Sequence, residues 1–254
     1  MMEPVSAVYI TLNAAARLKE SLAAVADFAD EILIVDSGST DDTLKIAREF
    51  GARVIHQEWQ GFGAQKEFAV KNAKNDWVLC LDADEVLTPE LAQNIQKFLE
   101  NPTSQAARFA RANVFLGRIL RHGEGYPDFS LRLFHRKAAY WSEDVVHEKV
   151  FFTGTPATLK GDLIHHSADD LATYIKKQNR YTSLLADAAV AEGAEPSAAK
   201  LILSPLVRFL KFYFLRQGFR DGVPGLIHIL IGCVHSFLKH AKIWEKSLKK
   251  SKKN

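Results

Sequence analysis

Trp77-Val-Leu-Cys-Leu-Asp-Ala-Asp-Glu85 is the stretch on which the fold turns. Trp77 to Leu81 contains no polar residue, and a strand apolar on both faces belongs inside a parallel sheet covered by helices on each side. Upstream, Val5 to Thr11 reads as a buried strand, and Leu18, Leu22 and Val25 mark a helix by their spacing. Glu31 to Val35 is a second strand. It runs into the polar turn Asp36-Ser-Gly-Ser-Thr40, then a helix carrying Leu44, Ala47 and Phe50 that Gly51 stops. Ala52 to Ile55 is a third strand and residues 64–74 a helix. Downstream, Thr88 and Pro89 suit the N-cap and first position of a helix reaching about Glu100. The alternation of strand and helix predicts an α/β domain with a mostly parallel sheet, whose ligands bind beyond the carboxyl ends of the strands. Asp36 and Asp82 stand at two such ends.

Residues 101–166 are less regular, rich in Arg, Gly and aromatics, and suit extra strands and active-site loops; from Leu171 onward the pattern is helical. The division expected is 1–170 for the catalytic domain and 171–254 for a helical, basic tail. The net charge of +3 conceals a polarity: residues 200–254 carry 12 Lys/Arg against Asp221 and Glu245, a local +10, which leaves −7 for residues 1–199. Such a tail suits nucleic acid or anionic lipid. Its basic residues are interleaved with long aliphatic and aromatic runs and form no nucleic-acid motif, so an anionic membrane surface is the expected partner and nucleic acid is not. The apolar run from Val223 to Leu238 is 16 residues long and includes Pro224, Gly225, His228 and His235. That is shorter than the ~20 apolar residues a span needs, so helices lying in the interface are expected. Two cysteines, Cys80 and Cys233, build neither a disulfide framework nor a cysteine zinc site, and Met1 to Pro4 do not open a secretory signal.

Asp82 and Asp84 carry the strongest chemical signal. Carboxylates two residues apart in extended chain leave on the same side, and such a pair suits a hard divalent cation that bridges phosphate oxygens. Asp36 follows a strand directly and could accept hydrogen bonds from a base or ribose, with Gly38 letting the backbone close on a ligand. The bland reading of that turn makes Ser39 or Thr40 an ordinary helix cap. Ser142-Glu-Asp-Val-Val-His-Glu148 gathers acids and an imidazole fit for proton transfer or ligation.

Taken together, Tyr9-Ile-Thr-Leu-Asn13, Asp36-Ser-Gly-Ser-Thr-Asp41, Gly61-Phe-Gly-Ala-Gln-Lys66 and Leu81-Asp-Ala-Asp-Glu85 resemble, in order and spacing, glycosyltransferase family 2 with its GT-A fold. Phe115-Leu-Gly-Arg118, His122-Gly-Glu-Gly-Tyr-Pro127, Leu131-Arg-Leu-Phe134 and Val146-His-Glu148 narrow the resemblance to bacterial lipopolysaccharide-core glucosyltransferases that act on inner-core heptose. The resemblance implies inverting hexosyl transfer from a UDP-sugar, UDP-glucose first, at the cytoplasmic face of the bacterial inner membrane, by a peripheral enzyme with a divalent cofactor, Mg²⁺ or Mn²⁺. It assigns Thr11, Asn13, Asp36, Lys66 and Asp82 to the nucleotide, and Asp84, Asp82 and His147 to the metal. Glu148 is then the expected base, with Asp144 second, and Arg132 the expected contact to phosphate on an acidic glycolipid acceptor. Ser37 stands where the family often has a second acid. The alternative acceptor is another membrane glycolipid or polysaccharide precursor.

A remoter alternative is a haloacid-dehalogenase-type phosphatase, with Asp82 as nucleophile. That reading wants the motif on the first strand and a later Gly-Asp-x-x-x-Asp, whereas Gly161-Asp162 is followed by His166.

Overall fold

The computed structural model describes residues 2–142, 148–166 and 170–251. These fall into two compact units, Met1–Arg111 with Pro127–His165, and Ala112–Tyr126 with His166–Asn254. The segment 112–126, which the sequence reading grouped with the catalytic domain, therefore clusters with the C-terminal helices.

In the first unit four strands run parallel: β1 (Val5–Thr11), β2 (Glu31–Asp36), β3 (Arg53–His56) and β4 (Trp77–Asp82). The expected elements are all present, with ends shifted by one or two residues. Strand β5 (Glu85–Leu87) follows β4 after a short turn. Three longer strands, β6 (Ala106–Phe115), β8 (Asp128–His135) and β11 (Ala157–His165), complete the sheet in the order β3-β2-β1-β4-β8-β6-β11-β5, with β7 (Arg118–Ile119) paired to the far end of β6. Direction reverses beyond β4, since β8 is antiparallel to β4 and β6 to β8. A separate hairpin joins β9 (Ala139–Trp141) to β10 (Val150–Phe152).

Alternation along the strands sorts side chains between two cores. Val5, Ala7, Tyr9, Ile34, Leu79 and Leu81 point to the face covered by helices α1 (Ala15–Ala23) and α4 (Pro89–Glu100). Val8, Leu33, Val35, Val78 and Cys80 point to the other, under α3 (Phe62–Asn72) and Trp141. Each fully buried aliphatic side chain contributes roughly 1.5–3 kcal/mol, so the two faces fix strand register: a slip of one residue would exchange them. Thr88 caps α4 as expected, its Oγ1 accepting from the Leu91 N–H at 3.3 Å. Helix α2 (Thr43–Glu49) is capped neither by Ser39 nor by Thr40; the Asp41 carboxylate accepts from the Thr43 N–H at 3.0 Å instead.

The second unit contains α5 (Leu171–Ala191), α6 (Ala198–Phe209) continued by a π-helical turn over Leu210–Leu215, a 3-10 turn over Gly218–Asp221, and α7 (Gly222–Ser251). Helix α7 packs on α5 and α6. Several of its polar side chains meet α5: Lys242 Nζ donates to Thr182 Oγ1 at 2.7 Å and Ser183 Oγ at 2.8 Å, and His235 Nδ1 lies 2.9 Å from Gln178 Oε1. The sequence estimate of a 16-residue run is too short for this helix. By length and composition alone, the helical stretch Gly218–Lys249 is long and apolar enough to cross a membrane.

Candidate active site

Asp82 closes β4 on an even position, so its side chain continues the Val78–Cys80 face towards α3. There it meets Lys66. On α3 the buried positions are Gly63, Lys66 and Val70 on one row and Gln65 and Ala69 on the next, so Lys66 lies in the stripe that a helix turns inward. It is 5% exposed, and its ammonium sits 3.0 Å from Asp82 Oδ1 and 3.2 Å from Glu148 Oε1. One buried cation thus joins the strand-end carboxylate to the carboxylate expected as base.

Arg132 arrives from β8 on the same face. Its Nη2 donates to Asp82 Oδ2 at 2.9 Å and to Glu85 Oε1 at 2.7 Å, and the residue is 4% exposed. Glu85 is fully buried; its Oε2 accepts from the Asp82 N–H at 3.0 Å, and Arg111 Nη1 lies 3.7 Å from Oε1. Beneath the two cations lies the Trp141 ring, 4.7 Å from Lys66 Nζ and 5.6 Å from the Arg132 guanidinium carbon. A tryptophan face attracts cations. Its Nε1 donates to Cys80 Sγ at 3.4 Å, and burial pushes that thiol up to about 12. Burial alone would raise the Asp82 carboxyl, but the charges of Lys66 and Arg132 outweigh it and hold the group well below the usual carboxylate range. Arg132 loses by desolvation and gains more from Glu85 and Asp82, so it is held cationic more firmly than a free guanidinium.

Arg132, expected at the acceptor, is buried between two carboxylates. Its Nη2 fixes Asp82 and Glu85, while its buried Nε has no hydrogen-bond partner among the described residues. The expectation that Asp82 and Asp84 leave on one side also changes. Ala83 and Asp84 form a turn between β4 and β5, so strand alternation stops at Asp82. Asp84 instead faces His165 at the end of β11, Oδ2 to Nε2 3.5 Å, with 41% of its side chain exposed. Among the described residues no three His, Cys, Asp or Glu side chains gather around one point suited to an ion. Asp144 and His147, expected as second base and metal ligand, lie outside the described residues.

Asp36, expected at the nucleotide, is held within its own turn. Its Oδ1 accepts from Thr11 Oγ1 at 2.8 Å and Ser39 Oγ at 2.5 Å, and its Oδ2 from the Gly38 and Ser39 N–H groups at 2.9 and 2.8 Å. Burial opposes its charge, but these bonds prevail and hold the carboxyl below its ordinary range. Asp36 and Thr11 build the turn between them, with four in-chain donors fixing the carboxylate. Asn13, in the left-handed region at φ 53°, accepts from the Thr40 N–H through Oδ1 at 2.8 Å while its own N–H donates to Ser39 Oγ at 2.8 Å. The loops after β1 and β2 are thereby tied together. Gln65 is drawn in too, its Nε2 donating to Ser37 Oγ at 3.0 Å, so Ser37 has a structural partner where the family often has an acid.

Glu85, Trp141, Gly63 and His165 belong to the site although motif reading named no role for them. Gly63 had a signal in Gly61-Phe-Gly: a Cβ there would lie 2.0 Å from the Ser142 carbonyl oxygen and 3.5 Å from Glu148 Cβ. Only glycine lets the Ser142 backbone come so close to α3. Glu85 had one as well, being an acid at the head of a buried strand.

Comparison with known proteins is consistent along the chain. The family model described as Glycosyl transferase family 2 matches residues 6–153. The lipopolysaccharide core biosynthesis glycosyltransferase LpsC of Rhizobium meliloti (strain 1021) is 32% identical, over 99% of this chain and 96% of its own. An uncharacterized glycosyltransferase of Rickettsia prowazekii (strain Madrid E) is also 32% identical, over 98% of this chain and 89% of its own. Among solved structures, the mannosyltransferase PcManGT from Pyrobaculum calidifontis, in complex with GDP-Man and Mn²⁺, aligns with a TM-score of 0.54 at 16% identity, over 98% of this chain and 87% of that one. At that identity the likeness is one of fold.

Proposed function

Since this chain belongs to glycosyltransferase family 2 and has the GT-A fold, we propose that it moves glucose from UDP-glucose, with inversion, to heptose in the inner core of lipopolysaccharide. The phosphatase alternative falls with the family assignment and with Asp82 on the fourth strand. Full-length similarity to a lipopolysaccharide core enzyme supports the acceptor class. The observation that carries the reading is the Asp82–Lys66–Glu148 cluster at the carboxyl end of β4, the edge where open α/β sheets bind ligands.

In this reading the acceptor hydroxyl attacks the anomeric carbon, its proton passes to a Glu148 carboxylate oxygen, and UDP leaves from the opposite face. Lys66 steadies Glu148 and presents positive charge towards the diphosphate. Arg132, Glu85 and Trp141 hold Asp82 and Lys66 in place, so that little reorganisation is needed as charge develops. Asp36 and Thr11 shape the turn against which the nucleoside lies.

Three cations, Lys66, Arg132 and Arg111, face four carboxylates, Asp82, Glu85, Glu148 and Asp128, an unwelcoming balance for a diphosphate on its own. Mg²⁺ is commonly held by one or two carboxylates together with substrate phosphates, and the half-exposed Asp84 fits that donor set. A divalent ion there would supply countercharge for the departing diphosphate. The acceptor is a glycolipid, and the basic, apolar-faced C-terminal helices suit peripheral attachment to the anionic cytoplasmic face of the inner membrane.

Release of nucleoside diphosphate from a panel of UDP-, GDP- and ADP-sugars, with purified inner-core acceptor, tests the assignment. UDP-glucose should be turned over best and only with heptose-containing acceptor. Preference for a GDP- or ADP-sugar would overturn the donor, and indifference to removal of heptose would overturn the acceptor.

A further inference from the structure

Unusually for the helices of a packed domain, α6 buries no residue. Ile202, Leu203, Leu206, Val207, Leu210 and Phe214 are between 47% and 68% exposed, and their spacing places them on one side of the helix and its π-helical continuation. Beyond them the apolar surface continues around the turn, with Leu215 80%, Phe219 50% and Val223 68% exposed. Tyr213 links the two stretches, its ring 5.1 Å from Phe214 and 6.1 Å from Phe219. Large apolar side chains about half exposed and grouped on one helix side are the kind of surface that marks a protein or membrane contact.

The same turn is ringed with positive charge. Arg118 Nη2 donates to the Arg220 carbonyl at 3.0 Å, Arg216 Nη2 to the Tyr126 carbonyl at 2.9 Å, and Arg220 Nη1 to Gln217 Oε1 at 2.8 Å. These acceptors are neutral oxygens, so the contacts orient the guanidinium groups without cancelling their charge. Lys211 is exposed beside the Phe212 ring. The acids nearby are turned inward: Asp221 is 2% exposed and accepts from the Arg121 and His122 N–H groups at 3.0 and 2.7 Å, and Glu124 is taken by Arg208. The surface therefore combines an apolar stripe with cations whose negative neighbours are buried or already paired.

We infer that this stripe and turn enter the interface of an anionic bilayer, with Arg118, Lys211, Arg216 and Arg220 binding headgroup phosphates. The inference rests on the membrane attachment proposed above and names the surface responsible. A second copy of the chain would cover the apolar stripe but would bring the same four cations against themselves. A phosphate-bearing lipid surface satisfies both features, since apolar burial and headgroup attraction then add.

Co-sedimentation with vesicles of phosphatidylethanolamine and phosphatidylglycerol, against phosphatidylcholine alone, tests it on the full chain. The parent protein should bind the anionic vesicles and release in high salt as headgroup attraction is screened. Leu206→Asp with Leu215→Asp should weaken partitioning at least about tenfold, an energy of about 1.4 kcal/mol or more, while UDP release and circular dichroism stay at parent values. Arg216→Glu with Arg220→Glu should abolish the preference for anionic vesicles. Should the parent bind while both pairs of variants bind equally well, this surface is wrong and membrane attachment stands. If the parent ignores anionic vesicles at low salt, attachment itself fails. A concentration-dependent dimer that the Leu206/Leu215 variant abolishes, with vesicle binding intact, would assign the stripe to self-association and overturn the inference.

Discussion

Replacing Arg132 by Met separates the two roles that sequence and structure give this residue. As an acceptor-binding arginine its loss would leave the folded state nearly untouched and weaken the acceptor. As the buried partner of Asp82 and Glu85, 2.9 and 2.7 Å away, its loss strands two carboxylates, one of them fully buried. Breaking a buried pair from one side typically costs about 3–5 kcal/mol. At roughly 2–4 °C per kcal/mol for a chain of this size, that is a fall of about 6–20 °C in Tm. Adding Glu85→Gln should restore a large part of the loss, because the amide oxygen can still accept from the Asp82 N–H while one stranded charge is gone. The pH dependence has a definite sign. Asp82 is held below its ordinary value in the folded protein, so its ion pairs stabilise the fold fully above the unfolded carboxyl value near 4 and lose that contribution as pH falls through the folded value. The gap between parent and variant should therefore be widest near neutrality and begin to narrow only below about pH 4. Differential scanning fluorimetry across pH, with acceptor KM measured alongside, decides the matter. A variant that melts with the parent but shows a raised acceptor KM would refute the structural role.

Three further outcomes are expected. Glu148→Gln should lower turnover by about 10²–10⁴-fold with donor KM little changed; if Asp144→Asn alone behaves this way in the same steady-state assay, the base is Asp144. Asp84→Ala should remove the dependence of UDP affinity on added Mg²⁺ or Mn²⁺ in calorimetric titration, and full activity of the parent in excess chelator would rule out the metal. Gly63→Ala places a Cβ 2.0 Å from the Ser142 carbonyl oxygen, so the Ser142 backbone must retreat and carry Glu148 off Lys66. The expected result is a loss of about 1–3 kcal/mol in stability and a fall in kcat, and a parent-like kcat would show that the close approach is dispensable.

The parallel half of the sheet was legible because it is written in short-range code. An apolar run such as Trp77–Leu81, a cap such as Thr88 before Pro89 and a stop such as Gly51 each act within a few residues. The antiparallel half was not, since β8 joins β4 through pairs such as Leu79 with Leu133, and nothing local in Leu131-Arg-Leu-Phe134 says which strand it will meet. The clustering of segment 112–126 with the C-terminal helices was not legible for a related reason. Asp221 accepts from the N–H groups of Arg121 and His122, a contact across about a hundred residues that no window reads.

The site divides along the same line. Motifs name residue types at positions, and they brought out Asp82, Lys66 and Glu148, which the fold gathers on one ammonium. What they could not convey is which donors and acceptors each group has already taken. Asp36 looked available because an acid ends a strand beside glycine, yet Thr11, Gly38 and Ser39 occupy it. Arg132 looked like a phosphate ligand because arginine suits phosphate, yet its strand position is even, and on β8 that means the same buried face as Trp141. Parity was present in the sequence: Leu133 and Phe134 go to opposite cores, so Arg132 had to follow Phe134. Register against β4 was the missing term, for only when Leu79 is set opposite Leu133 does Arg132 fall beside Asp82. A polar residue between apolar neighbours in a central strand is therefore better read first as an internal counter-ion, and as a ligand contact only when the facing strand offers no opposite charge.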